Sequence, residues 1–348
     1  MIWLAGCGAP ITKQPTVTLT SLATPSPIVA VNSSTQSISE AVLQLVYTNS
    51  RNQDFGEVYA VDITCMTSDL LCFGEPHILL KTPGRTSSTT AIDSPGSISD
   101  YAWSSDGKKI ALCAIGLNGR GDIFFTNTIA DSPTWNNLTH SFTDECNPKW
   151  DKSGEYIFYL GGSDDPYGGD RLFGSNLSGD EKQIWLEKDD ASISFYDISL
   201  DNKKAVFTKT DSNGYDQIYV SDLDGSNLQQ VTSGDWDHRD PSFSPDAETI
   251  VFVRWNRVEN IDSVDQSDII VKNLGTGVEK NITEEIEKIT ADPVFSPDGK
   301  WIAFNSLDPT AKEANIFAYS IEKSVLIQIT PDNTYYVNPS WRWFMSNK

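Results

Sequence analysis

Basic residues are scarce in this sequence. It holds 26 Lys and Arg against 48 Asp and Glu, a formal net charge of −22 at pH 7. Nucleic acid and anionic lipid headgroups are therefore excluded as partners, because backbone binding needs a basic face. A basic protein, a cation or a neutral glycan is compatible with this balance, and so is a plain solubilising role for the excess acid. Histidine is scarcer still: His77, His140 and His238 fall in separate parts of the chain, and only His238, in GDWDHRDP, sits on an expected loop of functional interest. Without a His or Cys cluster no metal site is expected, and no cofactor is expected either. No Gly-x-Ser-x-Gly elbow marks a hydrolase nucleophile. No apolar run approaches the ~20 residues of a membrane-spanning helix.

Aromatics are plentiful: ten Trp, twelve Tyr and fifteen Phe stand beside three Met. Such residues suit a pleated, half-buried surface and favour strands. The strands come in a repeat. YAWSSDGKKIAL, PKWDKSGEYIFY, YDISLDNKKAVF, PSFSPDAETIVF and PVFSPDGKWIAF align on Trp103, Trp150, Ile198, Phe243 and Phe295, at spacings of 47, 48, 45 and 52. Each phrase reads as a hairpin. A third apolar strand follows, as in QIYVSDL from Gln217, and a fourth closes the unit, as in DGSNLQQVT from Asp224. Four short strands per unit describe one blade of a propeller, and stacked blades bury the faces that a single blade cannot.

The ends give the blade count. LQLVYTN, EVYAVDI and HILLKT supply three strands with no hairpin phrase before them, and VNPSWRWF supplies one inner strand, with Trp341 46 residues after Phe295. Five complete blades and one blade closed by both ends of the chain predict an all-β, six-bladed propeller of four-stranded antiparallel blades over residues 42–348. The phrases RDPSFSPDAETIVF, ADPVFSPDGKWIAF and DQIYVSDLDGSNLQQVT resemble the repeat of the TolB-type propellers. The resemblance covers about 300 residues and implies the fold, while the functions hosted on such blades differ widely. One departure is plain: TolB carries an α/β domain before its propeller, and here a tether stands in that place.

Residues 1–7 end in Leu4-Ala5-Gly6-Cys7, which resembles the lipobox of bacterial lipoproteins and implies lipidation of Cys7. A signal peptide needs a basic n-region and an apolar run of roughly 7–15 residues, and only three residues precede the motif. Either the true start lies upstream or the match is accidental. Residues 8–41, rich in Ser, Thr and Pro, favour the first reading: too little apolar surface is available to offset ordering, so a disordered tether is expected. The chain is then an extracytoplasmic domain, periplasmic or on the cell surface, meeting the membrane only through its lipid.

Four further cysteines allow three pairings. Cys65 and Cys72 flank the short loop MTSDLL and are paired on that ground. Cys113 and Cys146 then remain, at the end of one blade's second strand and the start of the next blade's first, on the same face. Four buried thiols are the alternative.

Three residues before each anchor stand Asp100, Asn147, Phe195, Asp240, Asp292 and Asn338. Five of six blades thus present Asp or Asn where the inner strand begins, which places them around one channel mouth. They can act as caps of the entering loop or as an acidic funnel. Trp236, His238, Arg254, Trp255, Arg342 and Tyr167 are expected near the same face, where the long loops 161–170 and 256–268 emerge. SDLDGSN fails the spacing of a calcium loop and reads as a turn. Asp and Gly are adjacent in the hairpins, unlike the Asp boxes of sialidases. The expected function is a non-catalytic, monomeric binding protein for a protein or peptide partner, with a basic segment favoured by charge. A carbohydrate-active propeller, binding glycans or cleaving them with paired carboxylates, is the alternative.

Overall fold

The computed structural model describes residues 40–49, 57–66, 71–81, 98–115, 120–127, 133–140, 143–162, 171–184, 193–255, 267–286, 288–308, 310–332 and 334–346. Cys7, residues 8–39, Tyr167 and most of the two long loops lie outside them. The described chain forms six antiparallel sheets. Blades 2 to 6 begin with inner strands Ile98–Trp103, Glu145–Trp150, Tyr196–Ile198, Asp237–Phe243 and Ile289–Phe295, and each adds three more strands in chain order. Blade 1 is the closure: Tyr336–Ser346 pairs with Glu40–Asn49, which pairs with Glu57–Met66. Its outer edge is a refinement of the expectation, because both Leu71–Phe73 and His77–Lys81 pair with Glu57–Met66, giving five strands.

The hairpin phrase folds as its residues require. In blade 6 the Ser296 hydroxyl donates to Asp298 at 2.6 Å and accepts the Trp301 N–H at 3.0 Å. Gly299 then turns with φ 71°, a left-handed conformation that glycine takes without steric cost. Blades 2, 4 and 5 repeat the serine–aspartate bond with Ser104–Asp106, Ser199–Asp201 and Ser244–Asp246. In blade 5 the glycine position is Ala247, held at φ 57°.

Apolar side chains fill the seams between blades. Phe295 and Ile302 pack with Val251, Val253 and Ile269 between blades 5 and 6. Phe243 and Ile250 pack with Val206 and Ile218 between blades 4 and 5. Comparable clusters close the seams between blades 6 and 1, 1 and 2, 2 and 3, and 3 and 4. Burying a Phe or Ile side chain contributes ~1.5–3 kcal/mol, so the ring rests on its seams. A Cys113–Cys146 disulfide joins blades 2 and 3, with a Cα separation of 4.9 Å. Cys65 and Cys72 are register partners in blade 1, and Cys72 is disulfide-bonded.

Glu40 pairs with Ser346, whereas Asn338 lies near the opposite end of the same inner strand. Both ends of the propeller chain therefore leave at the face of the hairpin turns, away from the Asp and Asn positions.

Candidate channel mouth

The repeated Asp and Asn residues answer first to the backbone. Asn147, Asp240, Asp292 and Asn338 have φ of 55°, 50°, 52° and 55°. Each is followed by proline, and each Asx-Pro pair sits at a register shift where two residues face one across the ladder. At these bulges the first residue is left-handed, and Asp and Asn tolerate that conformation better than most other non-glycine side chains do. The proline has no N–H, and at the bulge none is required.

Blades 2 and 4 solve the same position differently. Tyr101 and Tyr196 stand where the other blades have proline. The Tyr101 hydroxyl donates to the Asn338 carbonyl of blade 1 at 2.7 Å, and Tyr196 donates to the Asn147 carbonyl of blade 3 at 2.8 Å. The Asn338 amide also donates to the Ser99 carbonyl of blade 2 at 3.0 Å. Between blades 5 and 6 the Asp240 carboxyl accepts the backbone N–H of Asp292. Asn305, with its amide nitrogen turned toward Asp292, donates to that carboxyl at 2.9 Å and to the Ala291 carbonyl at 2.6 Å. These bonds cross the seams between blades 1 and 2, 3 and 4, and 5 and 6, and form an interrupted belt at the level of the bulges.

Three of the repeated positions carry carboxyls. Burial is the largest influence on Asp100, Asp240 and Asp292 and pushes all three upward, Asp240 to about 6 and Asp292 to about 8. Mutual repulsion adds to this: Asp292 feels Asp240 and Asp100, and Asp240 feels Asp100. Blade 2 stands opposite blade 5 in the ring, and Asp100 still acts on Asp240. Lys149 opposes all three carboxyls, and Arg239 supports Asp240 while bound to Asp216 at 2.8 Å and Asp237 at 3.3 Å. Carboxyls that repel one another in a partly desolvated site do not all ionise readily.

The other expected mouth residues separate. Trp236 is 40% exposed, with Arg254 stacked 5.4 Å from its ring and itself paired to Asp268 at 3.0 Å. Trp255 packs against the seam of blades 5 and 6. His238 is not on a loop: it lies buried in Asp237–Phe243, edge-on to Phe252, and burial drives its pKa down to about 4. A neutral, buried imidazole is a packing group there. Arg342 belongs to the opposite end of the seam between blades 1 and 2. Its Nε donates to the Gly107 carbonyl at 2.8 Å and Nη1 to Gln44 at 2.9 Å, over the face of Trp103 at 4.4 Å. Its guanidinium is committed to the scaffold. Among the described residues no set of three His, Cys, Asp or Glu is arranged to hold a metal ion.

Lys149, Tyr101 and Tyr196 are the mouth residues that the repeat alignment contained and that had not been singled out. The tyrosines were visible as replacements for proline, and Lys149 as a lone cation two positions after Asn147.

The sequence matches the TolB beta propeller domain over residues 71–264. A curated relative, an uncharacterized protein of Agrobacterium fabrum, is 26% identical over 227 residues, covering 59% of this chain and 68% of that protein. The TolB structure from Acinetobacter baumannii superposes with a TM-score of 0.63 at 16% identity, covering 86% of this chain and 66% of TolB. A chain of the nidogen/laminin complex gives a TM-score of 0.59 at 13% identity, covering 86% and 98%. At such identities the structural likeness is one of fold.

Proposed function

The chain belongs to the TolB β-propeller family, and on that footing we propose that it is a non-catalytic binding module that receives a cationic segment of a protein or peptide at the channel mouth. The observation that carries this reading is the mutual repulsion of Asp100, Asp240 and Asp292 from blades 2, 5 and 6, which Lys149 and Arg239 offset only in part. Keeping three mutually repelling, half-buried carboxyls opposes stability, and a fold tolerates such a cost where it serves binding. An ammonium or guanidinium on the axis relieves the repulsion and gains from the low local dielectric.

Glu40 and Ser346, which pair in blade 1, lie at the face opposite the mouth, so the closing strands do not cross it. The Cys113–Cys146 disulfide supports an oxidising, extracytoplasmic location.

A photoreactive tri-lysine peptide tests the site. Crosslinks to the inner strands around Asp100 and Asp240 are expected; crosslinks confined to the hairpin-turn face would contradict the reading. The exposed ring of Trp236 favours a second reading, glycan binding on the rim of blade 5. A glycan array with the Trp236→Ala variant distinguishes the two, since peptide binding at the axis does not depend on that ring.

A further inference from the structure

The Cys113–Cys146 disulfide sits at the level of the belt. Cys113 lies next to Ala114 on blade 2's second strand and is the register partner of Asp100. Cys146 immediately precedes Asn147, whose carbonyl receives Tyr196. Ser99 links the disulfide to the mouth. Its hydroxyl lies 2.9 Å from Cys113 Sγ and 3.7 Å from Cys146 Sγ, and its carbonyl accepts the Asn338 amide at 3.0 Å. The two sulfurs rest against Gly121, where a Cβ would stand 3.1 Å from Cys146 Sγ and 3.4 Å from Cys113 Sγ.

The two sulfurs are not equivalent. Cys113 is 1% exposed, whereas Cys146 is partly exposed and Ser99 beside it is exposed. An incoming thiolate therefore reaches Cys146, and Cys113 is the sulfur that departs. A hydroxyl donating to the departing sulfur stabilises it as a thiolate, and better leaving groups exchange faster.

We propose that the Cys113–Cys146 disulfide is an exchangeable staple, opened by a dithiol protein, that sets the geometry of the channel mouth between blades 2 and 3. In the first step a thiolate of the dithiol bonds to Cys146 Sγ as the Cys113–Cys146 bond breaks. The electron pair leaves on Cys113 Sγ, which holds the Ser99 hydrogen bond and then takes a proton from solvent. In the second step the partner thiol of the dithiol attacks the external sulfur. Cys146 is released as a thiol, and the reductant departs as its own disulfide. Two electrons and two protons pass to the propeller, and blades 2 and 3 lose their covalent link beside Asp100 and Asn147.

The test is limited reduction of the oxidised full-length protein by dithiothreitol under native conditions, with alkylation and peptide mass mapping. Hydrogen exchange is followed in parallel. Cys72, disulfide-bonded at the outer edge of blade 1, is the internal comparison. The proposal expects Cys113 and Cys146 to become alkylated well before global unfolding, with faster exchange confined to the Ser99–Tyr101 and Cys146–Pro148 segments. Ser99→Ala should slow the reduction at least about three-fold without moving Tm. Reduction that proceeds only at the global unfolding rate would overturn it. So would reduction that leaves exchange at the mouth unchanged, and the wild-type protein alone decides both points.

Discussion

The Tyr196 hydroxyl donates to the main-chain oxygen of Asn147 at 2.8 Å, across the seam between blades 4 and 3. Tyr101 makes the same bond to Asn338 across the seam between blades 2 and 1. Both tyrosines are buried, and burial raises both hydroxyls well above their ordinary pKa. They donate at every pH at which the fold persists. Removing the hydroxyl in Tyr196→Phe leaves the Asn147 carbonyl without this donor. The expected cost is about 1–2 kcal/mol in chemical denaturation, and an unchanged midpoint would mean that water takes over the bond.

The mouth carboxyls predict a stability that falls with rising pH. Burial and mutual repulsion push Asp240 and Asp292 up from 3.8, to about 6 and about 8, in the folded chain. The folded state therefore binds more protons than the unfolded state between about pH 4 and 8, and unfolding free energy drops through that window. Asp292→Asn should be more stable than wild type at pH 8, by at least about 1 kcal/mol, and the gap should shrink as pH falls and close only below the ordinary carboxylate pKa of 3.8. Asn tolerates the φ of 52°, so the comparison isolates the charge. Equal pH profiles for the two proteins would remove the account of the half-buried mouth carboxyls.

Ala247 occupies the left-handed corner that glycine fills in blades 2, 3 and 6, at φ 57°. A non-glycine residue there costs about 1–2 kcal/mol. Ala247→Gly should raise the thermal midpoint, with a gain of about 1 kcal/mol after loss of the Cβ contact to the seam of blades 4 and 5. A lower midpoint would show that the contact outweighs the strain.

Arg342 predicts the behaviour of a seam residue. Asp62, Gln44, Arg342 and Gly107 form a chain of hydrogen bonds from blade 1 to blade 2. Burial lowers the guanidinium pKa to about 10, and it remains charged at neutral pH. Arg342→Met should cost about 3 kcal/mol or more, because Gln44 and the Gly107 carbonyl lose their buried partner. Arg342→Lys should rescue little, since an ammonium cannot span both acceptors. Peptide binding at the mouth should survive in whatever fraction folds.

The blade count, the closure by Trp341 and the pairing of Cys113 with Cys146 were legible because they depend on spacing. The roles of individual inner-strand residues were not. In a soluble sheet, alternation separates a buried face from a wet one, but a blade is buried on both faces. Trp341 reaches the Val294 carbonyl of blade 6, while its neighbour Arg342 reaches Gly107 of blade 2. Period two thus says which neighbour a residue meets and not whether it meets solvent. His238 was misplaced for a related reason: a polar, loop-like spelling continues into a strand whose both sides are covered. The bulges add a further shift, since each extra residue reverses the parity of those after it.

The central claim is that Asp100, Asp240 and Asp292 form a binding site for a cationic segment. The direct measurement is calorimetric titration of tri-lysine peptide into the wild-type protein and into the Asp100→Asn, Asp240→Asn, Asp292→Asn triple variant. Both are run across a range of salt concentrations at pH 8. The account predicts binding by the wild type that weakens as salt rises and at least about a ten-fold loss in the triple variant, equivalent to ~1.4 kcal/mol. Equal affinity and equal salt dependence in the two proteins would contradict it.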